Sequence, residues 1–273
     1  MPFIETADKT TLFYNDWGSG KPVVLIHGWP LDSDMWEYQS TFLASHGLRV
    51  IAYDRRGFGR SGQPWTGYDY NTLADDLKAV LDGLNLEEVT LVGFSMGGGE
   101  VARYMARHGG ARVAKAVLVS AVTPCLVQGP DNPDGVPRAT FDAMIEGLQK
   151  DRPNFLATFA KQFFGAGLLN FTVTAEILQW SLMMALLGSP KATLDCVRAF
   201  SDTDFRHDMG TFRVPTLVIH GTSDATVPAE KSGRIAAKMI QGSELLEYSG
   251  APHGLFFTEK DRLNQDLLTF IQK

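Results

Sequence analysis

The segment Gly93-Phe94-Ser95-Met96-Gly97 constrains this chain more than any other. It follows a strand-like run, Val89 to Val92, and leads into a helix-like stretch with two further glycines, Gly98 and Gly99. A serine on a tight strand-to-helix turn needs small neighbours, because a bulky side chain collides as the backbone doubles back. The helix that follows turns free N–H groups toward the serine, where developing negative charge can be stabilised. The pattern reads as a nucleophile elbow.

The chain around it alternates. Residues 11–16 and 22–27 read as strands, with Gly18 and Gly20 marking the turn between them. A helical pattern runs from Met35 to Ser45 and stops at Gly47; residues 48–53 then form an apolar strand ending at Asp54. Leu73, Leu77, Val80, Leu81 and Leu84 recur at helical spacing, with Asn71 as the expected cap. A further strand is predicted from Val113 to Val119. Strands alternating with helices imply an α/β fold, with a mostly parallel sheet covered on both faces.

That rhythm breaks after Ser120. Residues 124–138 are rich in proline, glycine and aspartate and predict a connection with turns. From Ala139 to Phe205 the pattern is helical and aromatic, carrying Phe155, Phe159, Phe163, Phe164, Phe171 and Trp180. The sheet pattern returns at Pro215 to His220, before a helix over Pro228–Ile240, a strand at 244–248 and a closing helix from Lys260 to Phe270. Residues 1–120 and 209–273 are therefore expected to form the core, with 121–208 as a helical cap inserted over the site.

Composition narrows the function classes. The 31 acidic residues against 25 basic ones, a formal charge of -6, leave no electrostatic footprint for nucleic acid or an anionic membrane. No stretch approaches the roughly 18 apolar residues of a membrane span, and the N-terminus lacks a basic-then-apolar signal. Two cysteines, Cys125 and Cys196, are too few for a disulfide scaffold or a cysteine-rich metal cluster. Free thiols in a reducing cytoplasm are the expectation.

Ser95 needs partners. A serine hydroxyl is a poor nucleophile until a histidine takes its proton, and that histidine works best when a carboxylate fixes its tautomer. Asp224, in Gly221-Thr222-Ser223-Asp224, lies just beyond the strand 215–220, and His253, in Ala251-Pro252-His253-Gly254, just beyond 244–248. Both fall at carboxyl ends of predicted parallel strands, the edge where open α/β sheets place ligands. The chain order Ser, Asp, His is that of an α/β-hydrolase. One oxyanion donor is expected from the N–H of Met96, after the nucleophile, and the other from Trp29 in His27-Gly28-Trp29-Pro30. Pro30 has no N–H to give.

Other residues receive plainer roles. His27 is expected to orient the oxyanion loop, while His46 and His108 lie near helix ends. His207 and His220 show no spacing with acids that suggests a metal site. Asp202, Asp204 and Asp208 are weaker substitutes for Asp224 because no strand places them, and Cys125 is expected near the pocket mouth. Arg55, Arg56 and Arg60 invite a phosphate-binding reading, but no G-x-G-x-x-G or Walker lysine accompanies them. Ion pairs supporting the oxyanion loop are the better expectation. Of Phe159, Phe163, Phe200 and Trp180, only some should line a pocket, because cap helices must also bury a face.

The chain resembles the bacterial aryl esterases and cofactor-free haloperoxidases (perhydrolases) of the α/β-hydrolase fold. The resemblance covers nearly the whole chain. It rests on His27-Gly28-Trp29-Pro30, Asp54 through Ser61, Gly67-Tyr68-Asp69-Tyr70, Val92 through Tyr104, His220 through Pro228, and Ala251-Pro252-His253-Gly254. It implies eight strands, a small helical cap and no metal or prosthetic group. It also implies Ser95 as nucleophile, His253 as base, Asp224 as its orienter, Trp29 and Met96 as oxyanion donors, and Phe159, Phe163 and Val227 in the pocket. A small-molecule ester or acyl substrate with water or hydrogen peroxide as co-substrate follows, and homo-oligomers, trimers among them, are frequent in such a family. Lactones, γ-lactams and carbon–carbon bonds remain open to the same triad. A non-catalytic module binding acyl or lactone ligands is the alternative of another class.

Overall fold

Strands and helices come from two hydrophobic periods. The computed structural model describes residues 2–167 and 172–273, so Phe171 lies outside the described residues. The strands are β1 (Phe3–Glu5), β2 (Thr11–Gly18), β3 (Lys21–Ile26), β4 (Leu48–Tyr53), β5 (Val89–Phe94), β6 (Val113–Val119), β7 (Thr216–Gly221) and β8 (Glu244–Tyr248). They form one sheet in the order β1-β2-β4-β3-β5-β6-β7-β8. β1 with β2 and β2 with β4 are antiparallel; every later pairing is parallel. In β3, Val24 and Ile26 enter the core on one face while Val23 and Leu25 enter the core on the other. Alternate side chains of a strand point to opposite faces, so a doubly covered strand must be apolar throughout.

The helices are α1 (Glu37–Ser45), α2 (Tyr70–Gly83), α3 (Met96–Arg107), α4 (Arg138–Phe163), α5 (Ala175–Leu187), α6 (Pro190–Asp202), α7 (Arg206–Met209), α8 (Gly233–Met239), α9 (Leu255–Thr258) and α10 (Lys260–Gln272). Leu73, Leu77, Val80 and Leu81 of α2 are fully buried, as their spacing predicts. The cap of α2 is Asp69 rather than Asn71: the Asp69 carboxylate accepts the N–H groups of Asn71 and Thr72 at 3.0 and 3.1 Å. A carboxylate there also faces the positive end of the helix.

Helices α4 to α7 all fall between β6 and β7. α4 is broken at Asp151, whose φ of -159° and ψ of 84° leave the helix two residues before Pro153. Proline cannot donate to the preceding turn, and the Asp151 carboxylate restarts the helix by accepting the Asn154 N–H at 3.1 Å. Among the described residues, no helix is long and apolar enough to cross a membrane.

Candidate active site

The parallel strands deliver their loops to one edge of the sheet. Ser95 occupies the single position between β5 and α3, with φ 53° and ψ -116°. A non-glycine residue held there stores roughly 1–3 kcal/mol of strain. Its backbone is tied on both sides: the N–H donates to Val119 O at 2.8 Å, and the carbonyl accepts from Gly98 at 3.0 Å and Val122 at 3.2 Å. A Cβ on Gly93 would lie 2.4 Å from the Gly97 carbonyl oxygen, and one on Gly97 would lie 2.4 Å from that of Ile26. Only glycine at both places lets strand, turn and helix come this close.

Asp224 follows β7 and His253 follows β8, and both meet Ser95. His253 Nδ1 is 2.6 Å from Asp224 Oδ2, and its Nε2 is 3.0 Å from Ser95 Oγ. The other carboxylate oxygen, Asp224 Oδ1, accepts the N–H groups of Thr226 at 2.9 Å and Val227 at 2.7 Å. Burial pushes the Asp224 carboxyl up, but His253 and His220 outweigh it and hold the group well below the ordinary carboxylate range. An ionised carboxylate only accepts, so Nδ1 carries the imidazole proton and the Nε2 lone pair faces the Ser95 hydroxyl. That arrangement can take a proton from the serine.

Trp29 and Met96 supply the remaining geometry. Neither backbone N–H has an acceptor among the described residues. The Trp29 indole is anchored by its Nε1–H to Thr193 O at 3.0 Å and meets the rings of Phe159 and Phe200 edge-on. Behind it, His27 is wholly buried and accepts the Arg55 N–H on Nε2 at 2.9 Å. Its Nδ1–H therefore donates to Gly28 O at 3.0 Å, and burial with the nearby Arg55 charge depresses the imidazole to about 3. His27 thus orients the loop and does not line the cavity.

The three arginines are occupied. Arg55 is buried against Glu100 and also donates to the His27 carbonyl at 2.6 Å. Arg56 pairs with Asp76 and Asp8 at 2.6 and 2.7 Å, and Arg60 with Asp54 and Asp34 at 2.9 and 2.7 Å. None of these three guanidinium groups is left for a phosphate.

A cavity of about 350 Å³ opens onto Ser95 and His253. Its walls are mainly Trp29 and Val227 from the core side and Phe141, Met144, Phe155, Phe159 and Phe200 from α4 and α6. Phe159 and Val227, pocket candidates by the resemblance, both line this cavity. Phe163 does not line this cavity. It packs edge-on against the His253 ring, with centroids 4.8 Å apart, and so supports the imidazole from behind. Trp180 is elsewhere, in a shallow depression with Trp17. Cys125 and Cys196 are free and buried, and burial raises both thiols, Cys196 to about 12. Among the described residues, no cluster of three or more His, Cys, Asp or Glu could hold a metal ion.

His220 is the residue that sequence reasoning missed. It is fully buried, its Nε2 lies 2.8 Å from Val227 O and 3.4 Å from Asp224 Oδ2, and its Nδ1 has no partner. A carbonyl can only accept, so Nε2 carries the proton. The available signal was position: a histidine ending an apolar strand, four residues before the candidate acid.

Fold and site together define a hydrolase-type α/β protein with a serine, histidine and aspartate in hydrogen-bonded series. The chain belongs to the alpha/beta hydrolase fold family, whose sequence profile matches residues 21–260. It is 44% identical over its full length, and that of its relative, to the non-heme chloroperoxidase CPO-A1 of Kitasatospora aureofaciens. It is 42% identical, again over both full lengths, to the bifunctional esterase/perhydrolase DCH of Acinetobacter calcoaceticus. Among solved structures it is similar to a bromoperoxidase from Bacillus anthracis, with a TM-score of 0.96 and 47% identity over 100% of this chain and 99% of that one.

Proposed function

We propose that the protein hydrolyses small or aryl carboxylic esters through an acyl-enzyme on Ser95 and forms peracids when hydrogen peroxide replaces water. The observation that carries this reading is the continuous contact from Asp224 through His253 to Ser95 Oγ. His253 takes the serine proton as Oγ attacks the ester carbonyl, and the oxyanion is received by the N–H groups of Trp29 and Met96. Removing one such donor typically costs roughly 3–4 kcal/mol of transition-state stabilisation. His253 then protonates the departing alcohol or phenol. Water, deprotonated by His253, attacks the acyl-enzyme and releases the acid; hydrogen peroxide attacking instead releases a peracid, which can oxidise halide in solution.

Residues 121–208 act as the cap in this reading, with Phe159 and Val227 contacting the acyl or alcohol group. A homo-oligomer, with a trimer among the candidate forms, and a cytoplasmic location complete it; static light scattering measures the first directly. The deciding experiment follows p-nitrophenyl acetate hydrolysis by wild type and Ser95→Ala, with and without hydrogen peroxide, while tracking peracid. Wild-type turnover and peracid that both vanish in Ser95→Ala are expected. Equal rates in the two proteins would overturn the serine route.

A further inference from the structure

We propose that Lys231 makes this pocket selective for esters bearing a carboxylate remote from the scissile bond, half-esters of short dicarboxylic acids being the simplest. The inference rests on the ester-hydrolase reading above. Lys231 closes the short 3-10 turn Ala229–Lys231, is half-buried, and lines the cavity that contains Ser95 and His253. Among the described residues, no aspartate or glutamate lines that cavity. The ammonium makes one long contact, to Gly135 O at 3.4 Å, and among the described residues no carboxylate reaches it within salt-bridge distance. A lysine carries three donors, so most of its hydrogen-bonding capacity is unfilled.

A second observation on the same segment points the same way. The Thr226 hydroxyl oxygen is buried and without a partner, and Thr226 also lines the cavity. The one charged group and the unpartnered hydroxyl therefore lie on the 226–231 wall, while α4 contributes Phe141, Met144, Phe155 and Phe159 together with the uncharged polar residues Thr140, Thr158 and Gln162. An occupant with an apolar chain and an anionic end matches both walls. Its carboxylate would supply the missing counter-charge, and hydrogen bonds between ionised partners are about twice as strong as neutral ones. A neutral chain of the same length would leave Lys231 facing apolar atoms, and a cationic one would be repelled.

The test compares kcat/KM for monomethyl adipate and methyl hexanoate, read as acid release, in wild type, Lys231→Met and Lys231→Glu. The ratio of the charged to the neutral ester is expected to fall about tenfold in Lys231→Met, equivalent to ~1.4 kcal/mol, and further in Lys231→Glu. In wild type the ratio should also fall as salt is raised, and in Lys231→Met it should not. The succinate to suberate monoesters, run in parallel, report the span from Ser95 to the ammonium by their optimum. Ratios that agree between wild type and Lys231→Met at every chain length would overturn the assignment. Should wild type cleave neither methyl ester, p-nitrophenyl acetate separates the causes: Ser95-dependent turnover keeps the esterase and overturns only the carboxylate selectivity. No turnover on any of them overturns both.

Discussion

His220 carries its argument at the scale of single atoms. Its Nε2–H donates to the Val227 carbonyl and lies beside Asp224 Oδ2, while Asp224 Oδ1 accepts the Val227 N–H. One imidazole thus braces the loop that orients both the acid and a pocket wall, which makes it a positioning residue. His220→Leu removes the donor; a hydrogen bond to a neutral carbonyl contributes about 0.5–1.5 kcal/mol, so kcat on p-nitrophenyl acetate should fall severalfold, up to about tenfold. His220→Gln can place an amide N–H near the original Nε2 and should recover most of the loss. Equal defects in the two variants would mean that His220 merely fills space. Ser95, Asp224 and His253 were legible because each follows an apolar strand in a short motif. His220 was not, since its role depends on a carbonyl seven residues away folding back over it. Phe163, a pocket candidate by the resemblance alone, shares a helix face with Phe159, one turn on, but packs against the His253 ring and does not line the cavity.

Among the elements, burial decided what could be read. The boundaries of β4 and β6 coincide with the predicted 48–53 and 113–119, because each runs apolar into the core at its carboxyl end. β1 went unrecognised: three largely exposed residues carry no alternation to detect. Loop electrostatics were hidden as well. Asp32 is 1% exposed and accepts the Asp34 N–H at 3.0 Å, capping the turn Ser33–Trp36. Burial, together with the charges of Asp54 and Asp34, raises its carboxyl from 3.8 to about 7. The folded protein therefore holds a proton that the unfolded chain releases between those values. Stability from this group is fully present below pH 3.8 and is lost as pH rises through about 7. Asp32→Asn keeps an acceptor for the cap and removes the charge. It should raise the urea-unfolding free energy by up to about 4 kcal/mol at pH 8 and change it much less near pH 4. A gain of the same size at both pH values would rule out ionisation as the cause.

For the molecule as a whole, the sheet is what turns distant sequence into a site. Ser95 and His253 are 158 residues apart, yet β5 and β8 present their carboxyl ends on one edge, with β6 and β7 between them. The helical block that separates the motifs in sequence leaves that edge intact because it enters between β6 and β7, where a parallel sheet needs a crossover anyway. One buried polar hub then locks the layers together. Arg55, beyond β4, pairs with Glu100 on α3 and donates to His27 O, beyond β3, while the Tyr53 hydroxyl donates to Glu100 Oε2 at 2.5 Å. All of these side chains are essentially inaccessible, so neither charge has water to fall back on. Breaking such a pair by removing one partner costs about 3–5 kcal/mol, whereas replacing both with apolar groups is often neutral. Glu100→Gln should accordingly lower the unfolding free energy by at least about 3 kcal/mol. The double variant Arg55→Leu/Glu100→Leu should recover much of that loss but remain slow on p-nitrophenyl acetate, because the His27 carbonyl has lost its Arg55 donor and the Trp29 N–H is no longer held in place. Urea denaturation beside the ester assay separates the two effects. If the double variant regained stability and full activity together, the hub would be a feature of folding alone, and the oxyanion loop would owe its placement to Phe159, Phe200 and the Trp29–Thr193 bond.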